Sequence, residues 1–322
     1  MRAVRVAEFG PPEVMRVEHV ADPEPGYGEV LVDVAAAGVQ FVETLVRAGK
    51  SAAVPRPYTP GRDVAGVVCM VGDGVDAGLI GKRVSGQTGN AGGYAERAVL
   101  SRRALHVLPD SVSTEDAAGL LGQGLTAAAL IEISRLREDE TVLVEAAAGG
   151  VGSLLVQLAK VARATVIGAA RGEHKLELVR KLGADHAVDY GRPGWVQEVR
   201  KAAGGRGVNV VLDSVGGEIG RQAVDTLAPG GRFVIYGIAS GTGTEIPGGL
   251  AYGRGLTVIG FGGANPGVDP QRFHALQAGV LAEAAIGRVT PVIGHRFPLE
   301  MAPAAHTALA GRDTVGKVLL IP

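Results

Sequence analysis

The sequence predicts an α/β protein in which a β-rich, partly open barrel flanks a doubly wound parallel sheet. Three observations carry that expectation. The first hundred residues and the last thirty are short apolar runs split by turn residues. Residues 141–261 alternate such runs with helical patterns, which implies parallel strands joined by crossover helices. A turn rich in glycine, AAAGGVG, opens that alternation at residues 146–152.

The 322 residues suggest two domains, and a chain 46% hydrophobic and 20% charged can bury a full core. The 50 glycines follow no G-X-Y period, so they belong to turns and close approaches rather than to a collagen helix. A net charge of −1 leaves no electrostatic footprint for nucleic acid or an anionic membrane. The single cysteine, Cys69, permits no intrachain disulfide; in the apolar strand VAGVVCMV it reads as a buried small hydrophobe. The first residues lack the apolar stretch of a signal peptide, and the longest uncharged run, Ala117 to Ile131, is too short to span a bilayer. A soluble, cytoplasmic protein without nucleic-acid or membrane partners is expected.

Along the chain, RAVRVAEF, EVLVDVAAAG, GRDVAGVVCMV, GKRVSG and GGYAERAVL read as strands. Ser113, with Asp116 three positions later, caps a helix that runs towards Ile133. Then TVLVEA is a strand and VGSLLVQLAKVA a helix. ATVIGAA, HAVDY, VNVVLDSV, GRFVIYG and LTVIGF are further strands, separated by helices EHKLELVRKLG, GWVQEVRKAA and EIGRQAVDTLA. A helix from about Pro270 to Gly287 follows, and TPVIGHRFPLE through GKVLLIP returns to β texture and folds back onto the first module.

Strand, glycine turn and helix together give the turn a chemical meaning. Ala147, Gly149 and Gly152 occupy the three positions of a dinucleotide fingerprint: a tight turn, close approach to a pyrophosphate, and close helix packing. Gly150 and Val151 open the helix, whose free amides and dipole favour a diphosphate. An NAD site usually ends its second strand in an acid. Here Ala170 stands there, followed by Arg171, with Lys175 in the next turn and Tyr190 ending the third strand. Two cations suit a 2′-phosphate, so NADPH is the expected cofactor. Each charged hydrogen bond is worth about 1.5–3 kcal/mol.

One cysteine and seven scattered histidines supply no zinc cluster. No G-x-S-x-G elbow and no Tyr-x-x-x-Lys pair is present. PGRDVAGVV with VGDGV and GKRV, GGYAE, GQGLTA, AAAGGVG, LGAD, LDSVGG, LAPGGRFVIYG and GKVLL occur in this order. Together they resemble the zinc-independent medium-chain dehydrogenase/reductases, the zeta-crystallin-like quinone oxidoreductases, over nearly the whole chain. The resemblance implies a GroES-like catalytic domain of residues 1–118 and 290–322 around a Rossmann domain of residues 119–289. It also implies a homodimer formed through the Rossmann domains. Gln40 and Arg62 stand where zinc-dependent relatives carry ligands, so no metal is expected.

By the same resemblance, Thr126 and Gln40 lie near the nicotinamide. Ser214, Val215, Gly237 and Ile238 follow the fourth and fifth strands along the cofactor, and Phe261, Gly262 and Lys317 close the other side. Tyr58 and Tyr94 are candidate substrate contacts or proton donors, and Phe41 either walls the pocket or joins the core. Family members usually read GVN-x-x-D where this chain has Gly38-Val39-Gln40-Phe41-Val42-Glu43, and they often carry His or Ser in place of Glu145. Glu145 reads as a strand-end carboxylate exposed to water. The expected reaction is hydride transfer from NADPH to a quinone or α,β-unsaturated carbonyl. The alternatives are an enoyl-thioester reductase allied to polyketide or fatty-acid metabolism, and an NADPH-binding protein without turnover.

Overall fold

The computed structural model describes residues 1–51, 54–89, 91–262 and 269–322. The chain begins with β1 (Arg2–Val6), β2 (Met15–His19), β3 (Glu29–Val39), α1 (Phe41–Arg47), β4 (Asp63–Val71), β5 (Arg83–Gln87), β6 (Arg97–Ser101), β7 (Leu105–Val107) and α2 (Thr114–Ile133). The alternating stretch forms β8 (Thr141–Val144), α3 (Gly150–Val161), β9 (Thr165–Ala170), α4 (Glu173–Lys181), β10 (His186–Asp189), α5 (Trp195–Ala202) and β11 (Val208–Asp213). It continues with α6 (Gly217–Val224), β12 (Leu227–Ile235), α7 (Gly248–Arg254) and β13 (Thr257–Gly260). The chain ends with α8 (Pro270–Ala285), β14 (Ile293–Pro298), α9 (Ala302–Gly311) and β15 (Lys317–Ile321). Among the described residues no helix is long and apolar enough to cross a membrane.

Two compact units result, one of Met1–Gly124 with Gln277–Pro322 and one of Leu125–Leu276. Both breaks fall inside helices, α2 and α8, near the bounds at 118 and 290 that the resemblance implies. The α2 start is capped as its sequence indicates: Ser113 Oγ accepts from the Asp116 amide at 3.0 Å and donates to the Asp116 carboxylate at 2.7 Å.

In the first unit the eleven-residue β3 organises the sheet. Along one edge it pairs antiparallel with β4. Along the other, its first half pairs with β6 and its last residues with β15. Register shifts at Leu31/Val32 and Val34/Ala36 bend the strand, so the sheet curls around its apolar face. Val30, Val32, Val64, Val84, Leu100 and Leu320 fill that face.

The second unit is a six-stranded parallel sheet in the order β10-β9-β8-β11-β12-β13. Its strands TVLV, TVIGAA and VNVVLD are apolar almost throughout because helices cover both faces. Leu143, Ile167, Val211 and Phe233 are fully buried, each contributing about 1.5–3 kcal/mol by the usual burial scale. The chain leaves β8 in one direction and β11 in the other. The topological switch therefore lies between those two strands, where open parallel sheets bind ligands at their carboxyl ends.

Close packing of α3 on β8 depends on Gly152. A Cβ there would collide with the Ala146 carbonyl oxygen and would stand 2.8 Å from the Ala147 Cα, both backbone atoms that cannot rotate away. Gly152→Ala is expected to destabilise the protein by about 1–3 kcal/mol. The check is a thermal melt, in which the variant unfolds several degrees below the parent; an unchanged midpoint would refute the packing reading.

Candidate active site

The turn between β8 and α3 has the form an anion cradle needs. Ala146 takes a left-handed φ of 45°, which turns the chain sharply off the strand. The Ala147 amide then donates to the Ala169 carbonyl at 3.0 Å, tying the turn to the end of β9. Gly149 caps α3 in extended conformation, and Gly150 and Val151 begin the helix, where first-turn amides have no intrahelical acceptor. Around a Cβ built on Gly149, the one neighbour within 4 Å outside the adjoining residues is the Ala146 carbonyl oxygen at 3.2 Å. The glycine thus leaves open backbone beside a helix N-terminus, while Gly152 is filled by the fold itself.

Arg171 is exposed directly after β9, and Lys175 is half-buried in the first turn of α4. Tyr190, half-buried after β10, makes an edge contact with Trp195, their ring centroids 6.4 Å apart. Asp189 joins the two turns: its oxygens accept from the amides of Gly172 at 3.2 Å and Gly191 at 2.8 Å. The Arg171 side chain lies over Gly191, where an added Cβ would stand 3.1 Å from its Cγ. Arg171, Lys175 and Tyr190 therefore sit on two turns that a single carboxylate holds together.

The turns after β11 and β12 are stitched to each other. The Ala239 amide donates to the Ser214 carbonyl at 3.0 Å and the Ser240 amide to the Val215 carbonyl at 2.7 Å. Gly237 has no room for a side chain, since a Cβ would lie 2.7 Å from the Ser214 carbonyl oxygen. Ile238 is exposed, Phe261 and Gly262 follow β13, and the Phe261 amide reaches back to the Ile235 carbonyl at 2.8 Å. Thr126 is half-buried on α2.

Glu145 corrects the sequence reading. It is 0% exposed rather than open to water. The cause is its place at the end of a central strand: its amide still donates to the Leu212 carbonyl at 3.2 Å, so the side chain stays within the sheet layers. Neither of its carboxyl oxygens accepts a hydrogen bond. Burial, then the neighbouring Asp213, pushes its carboxyl well above the usual range. Burial likewise pushes the Tyr236 phenol up.

In the first unit the expected residues meet partners the sequence did not indicate. Asp63, fully buried, accepts from Gln40 Nε2 at 2.6 Å, Gln87 Nε2 at 3.0 Å and the Gly122 amide at 3.2 Å. Lys317 Nζ lies 3.6 Å from the same carboxylate and donates to Gln123 Oε1 at 2.6 Å. Burial pulls the Lys317 ammonium down, and Asp63 and Glu43 oppose it. Tyr94 is fully buried, and its hydroxyl donates to Glu43 Oε2 at 2.5 Å. That oxygen also accepts from the Gln40 amide at 2.8 Å. His306 Nε2 lies 3.2 Å from the Tyr94 oxygen, and burial, then Arg47, pushes the imidazole down to about 3. It is therefore neutral at pH 7, and its tautomer decides which of the two atoms donates. Burial pushes Glu43 up to about 7 against the pull of Tyr94 and the Gln40 amide. Tyr58 is buried, and its hydroxyl has no hydrogen-bond partner.

Phe41 is 37% exposed and so is not a core residue. Arg62 Nε donates to the Gly89 carbonyl at 3.1 Å. Cys69 is half-buried rather than buried, its thiol facing the Leu31 carbonyl. Gln87, Arg47 and His306 were not singled out, and Asp63 lay in the motif PGRDVAGVV without a role assigned to it. Their signal would have been polar residues inside otherwise apolar strands and helices.

Residues 26–110 match the alcohol dehydrogenase GroES-like domain, and residues 150–278 match the domain described as zinc-binding dehydrogenase. A quinone oxidoreductase of Pseudomonas aeruginosa is 34% identical over 323 residues, covering 100% of this chain and 99% of its own. A 2-haloacrylate reductase of a Burkholderia species is 32% identical, covering 99% of this chain and 98% of its own. The structure of Escherichia coli quinone oxidoreductase complexed with NADPH superposes with a TM-score of 0.92 at 29% identity, covering 100% of both chains. With the sheet order, the glycine turn and full-length likeness in agreement, the chain belongs to the quinone oxidoreductase family of zinc-independent medium-chain dehydrogenases/reductases.

Proposed function

We propose that the protein reduces quinones or α,β-unsaturated carbonyl compounds with NADPH. The observation that carries this reading is the β8–α3 turn, whose open backbone at Gly149 fits a diphosphate beside a helix N-terminus. Ala147, Gly149, Gly150, Val151 and Gly152 form that cradle. Arg171, Lys175 and Tyr190 take the adenosine end and its 2′-phosphate. Thr126, Ser214, Val215, Gly237, Ile238, Phe261, Gly262 and Lys317 complete the proposed cofactor contacts. When bound, the reduced nicotinamide supplies the hydride. The Burkholderia relative's name, a haloacrylate reductase, supports an electron-poor alkene as acceptor beside quinones.

The chain's own residues then orient the acceptor and manage a proton. Gln40 is fixed by its bond to Asp63, which presets its amide for contact with the acceptor. Tyr58 offers an uncommitted hydroxyl. Tyr94 acts through Glu43 and the neutral His306 rather than by touching substrate. Homodimerisation is supported by β13, which among the described residues is the edge strand of its sheet, and by the exposure of Val258 and the nearby Tyr252. Light scattering is expected to give twice the 32.8 kDa chain mass; a monomer would refute it.

NADPH oxidation measured over quinones, enones and enoyl thioesters tests the activity. Turnover of quinones or enones is expected; turnover of thioesters alone would move the assignment to an enoyl-thioester reductase, and binding without turnover to a non-catalytic role. In the same assay, Arg171→Ala with Lys175→Ala is expected to raise KM for NADPH tenfold or more and leave KM for NADH unchanged. An unchanged preference would refute the phosphate site.

Glu43 holds a proton below about 7 and loses it above. The rate of enone reduction is therefore expected to fall severalfold as pH rises through that value, and Glu43→Gln to flatten the profile. The same inflection in Glu43→Gln would exclude Glu43 as its source.

A further inference from the structure

We infer that Glu145 enters the fold as a neutral carboxylic acid that donates its proton to Asp213, and that this pair holds the Ser214–Gly216 turn in its cofactor-binding form. The inference rests on the proposed role of that turn in binding NADPH. Glu145 is fully buried, and neither oxygen accepts a hydrogen bond. An ionised carboxylate without donors is among the costliest groups a protein can bury. Asp213, also fully buried, stands beside it, and its oxygens already accept hydrogen bonds from other groups. Asp213 Oδ1 accepts from the amides of Val215 at 2.9 Å and Gly216 at 2.8 Å, and Oδ2 from the Thr244 hydroxyl. Two carboxyl groups in contact hold together when one carries the proton, which turns repulsion into a charge-assisted hydrogen bond.

The side chains that face Glu145 do not relieve it in another way. Asp213 comes from β11, and Tyr236 from the end of β12, where it bonds Ser214; Tyr190 acts on Tyr236 from the end of β10. These side chains are acidic or phenolic and no cation acts on Glu145; the Val215 amide alone favours its charged form, and burial together with Asp213 outweighs it. Asp213 in turn shapes the turn itself: its side chain bonds Val215 and Gly216, and its carbonyl receives the Tyr236 amide at 2.8 Å. Loss of the Glu145 proton would set two negative charges against each other under this turn. Glu145 is thus a positioning residue that acts through Asp213.

The sign of the pH effect follows. A carboxyl raised above its unfolded value of 4.5 stabilises the fold most at low pH and gives that stability up as pH climbs. Infrared difference spectra of the full-length protein at pH 8.5, parent against Glu145→Gln, are expected to show one protonated-carboxyl band lost in the variant. Its absence would overturn the inference whether or not NADPH binds. NADPH affinity by fluorescence is expected to fall tenfold or more in Glu145→Ala and to be rescued to within about threefold in Glu145→Gln, whose amide still donates to Asp213. The parent should lose affinity at alkaline pH and Glu145→Gln should not. Equal loss in both variants, or the same alkaline decline in Glu145→Gln, would overturn the positioning role. If Glu145→Ala does not fold, the infrared band and the Glu145→Gln pH profile decide. If the parent itself fails to bind NADPH, the cofactor reading falls while the band still tests the shared proton.

Discussion

The close approach of one helix to one carbonyl oxygen governs the second unit. Because Gly152 has no side chain, α3 starts against the Ala146 carbonyl, and its first amides face the end of the sheet between β8 and β11. A parallel sheet with helices on both faces leaves few places where backbone donors remain unused. The switch point supplies one, and the helix dipole adds positive character there. The left-handed Ala146 and the open Gly149 serve the same end, one bending the chain and the other leaving backbone uncovered.

The first unit is organised by buried polarity rather than by an open turn. Asp63, Lys317, Glu43, Tyr94 and His306 come from distant parts of the chain, yet each makes a buried polar contact, while Glu43 Oε1 and His306 Nδ1 find no partner. Removing one partner of such a set costs about 3–5 kcal/mol, because the remaining charge stays out of water. This rigidity fixes Gln40 and keeps Tyr94 away from solvent. Both units therefore hold a raised carboxyl, Glu43 in one and Glu145 in the other, produced by the same cause: burial without a paired cation at hydrogen-bond distance.

Elements with a period or a cap were legible in the sequence. The strand–glycine–helix turn, the alternation from Thr141 onward and the Ser113 cap all rest on local rules, and the structure has each of them. Contacts set by strand register were not legible. Nothing near Glu43, Tyr94 or His306 announces that they meet, because their encounter depends on how β3, β4 and β15 pair and on where α1 and α9 pack. Glu145 was misread for a related reason. A carboxylate at a strand end is usually wet, and only the central position of β8 removes it from water. The short helices α1 and α7 were also missed, being seven residues each with no clear apolar period.

Strand β15 has a consequence for biosynthesis. Its Val318 and Leu320 lie opposite Val39 and Ala37, so a sheet whose other strands precede the parallel unit is completed by residues made after it. The parallel unit, encoded between, has all six of its strands in hand well before that. On the ribosome it can close first, while the earlier strands wait with an open edge and Asp63 still without its lysine. A nascent chain of this architecture is thus most exposed to misassociation through the strands that precede the parallel unit.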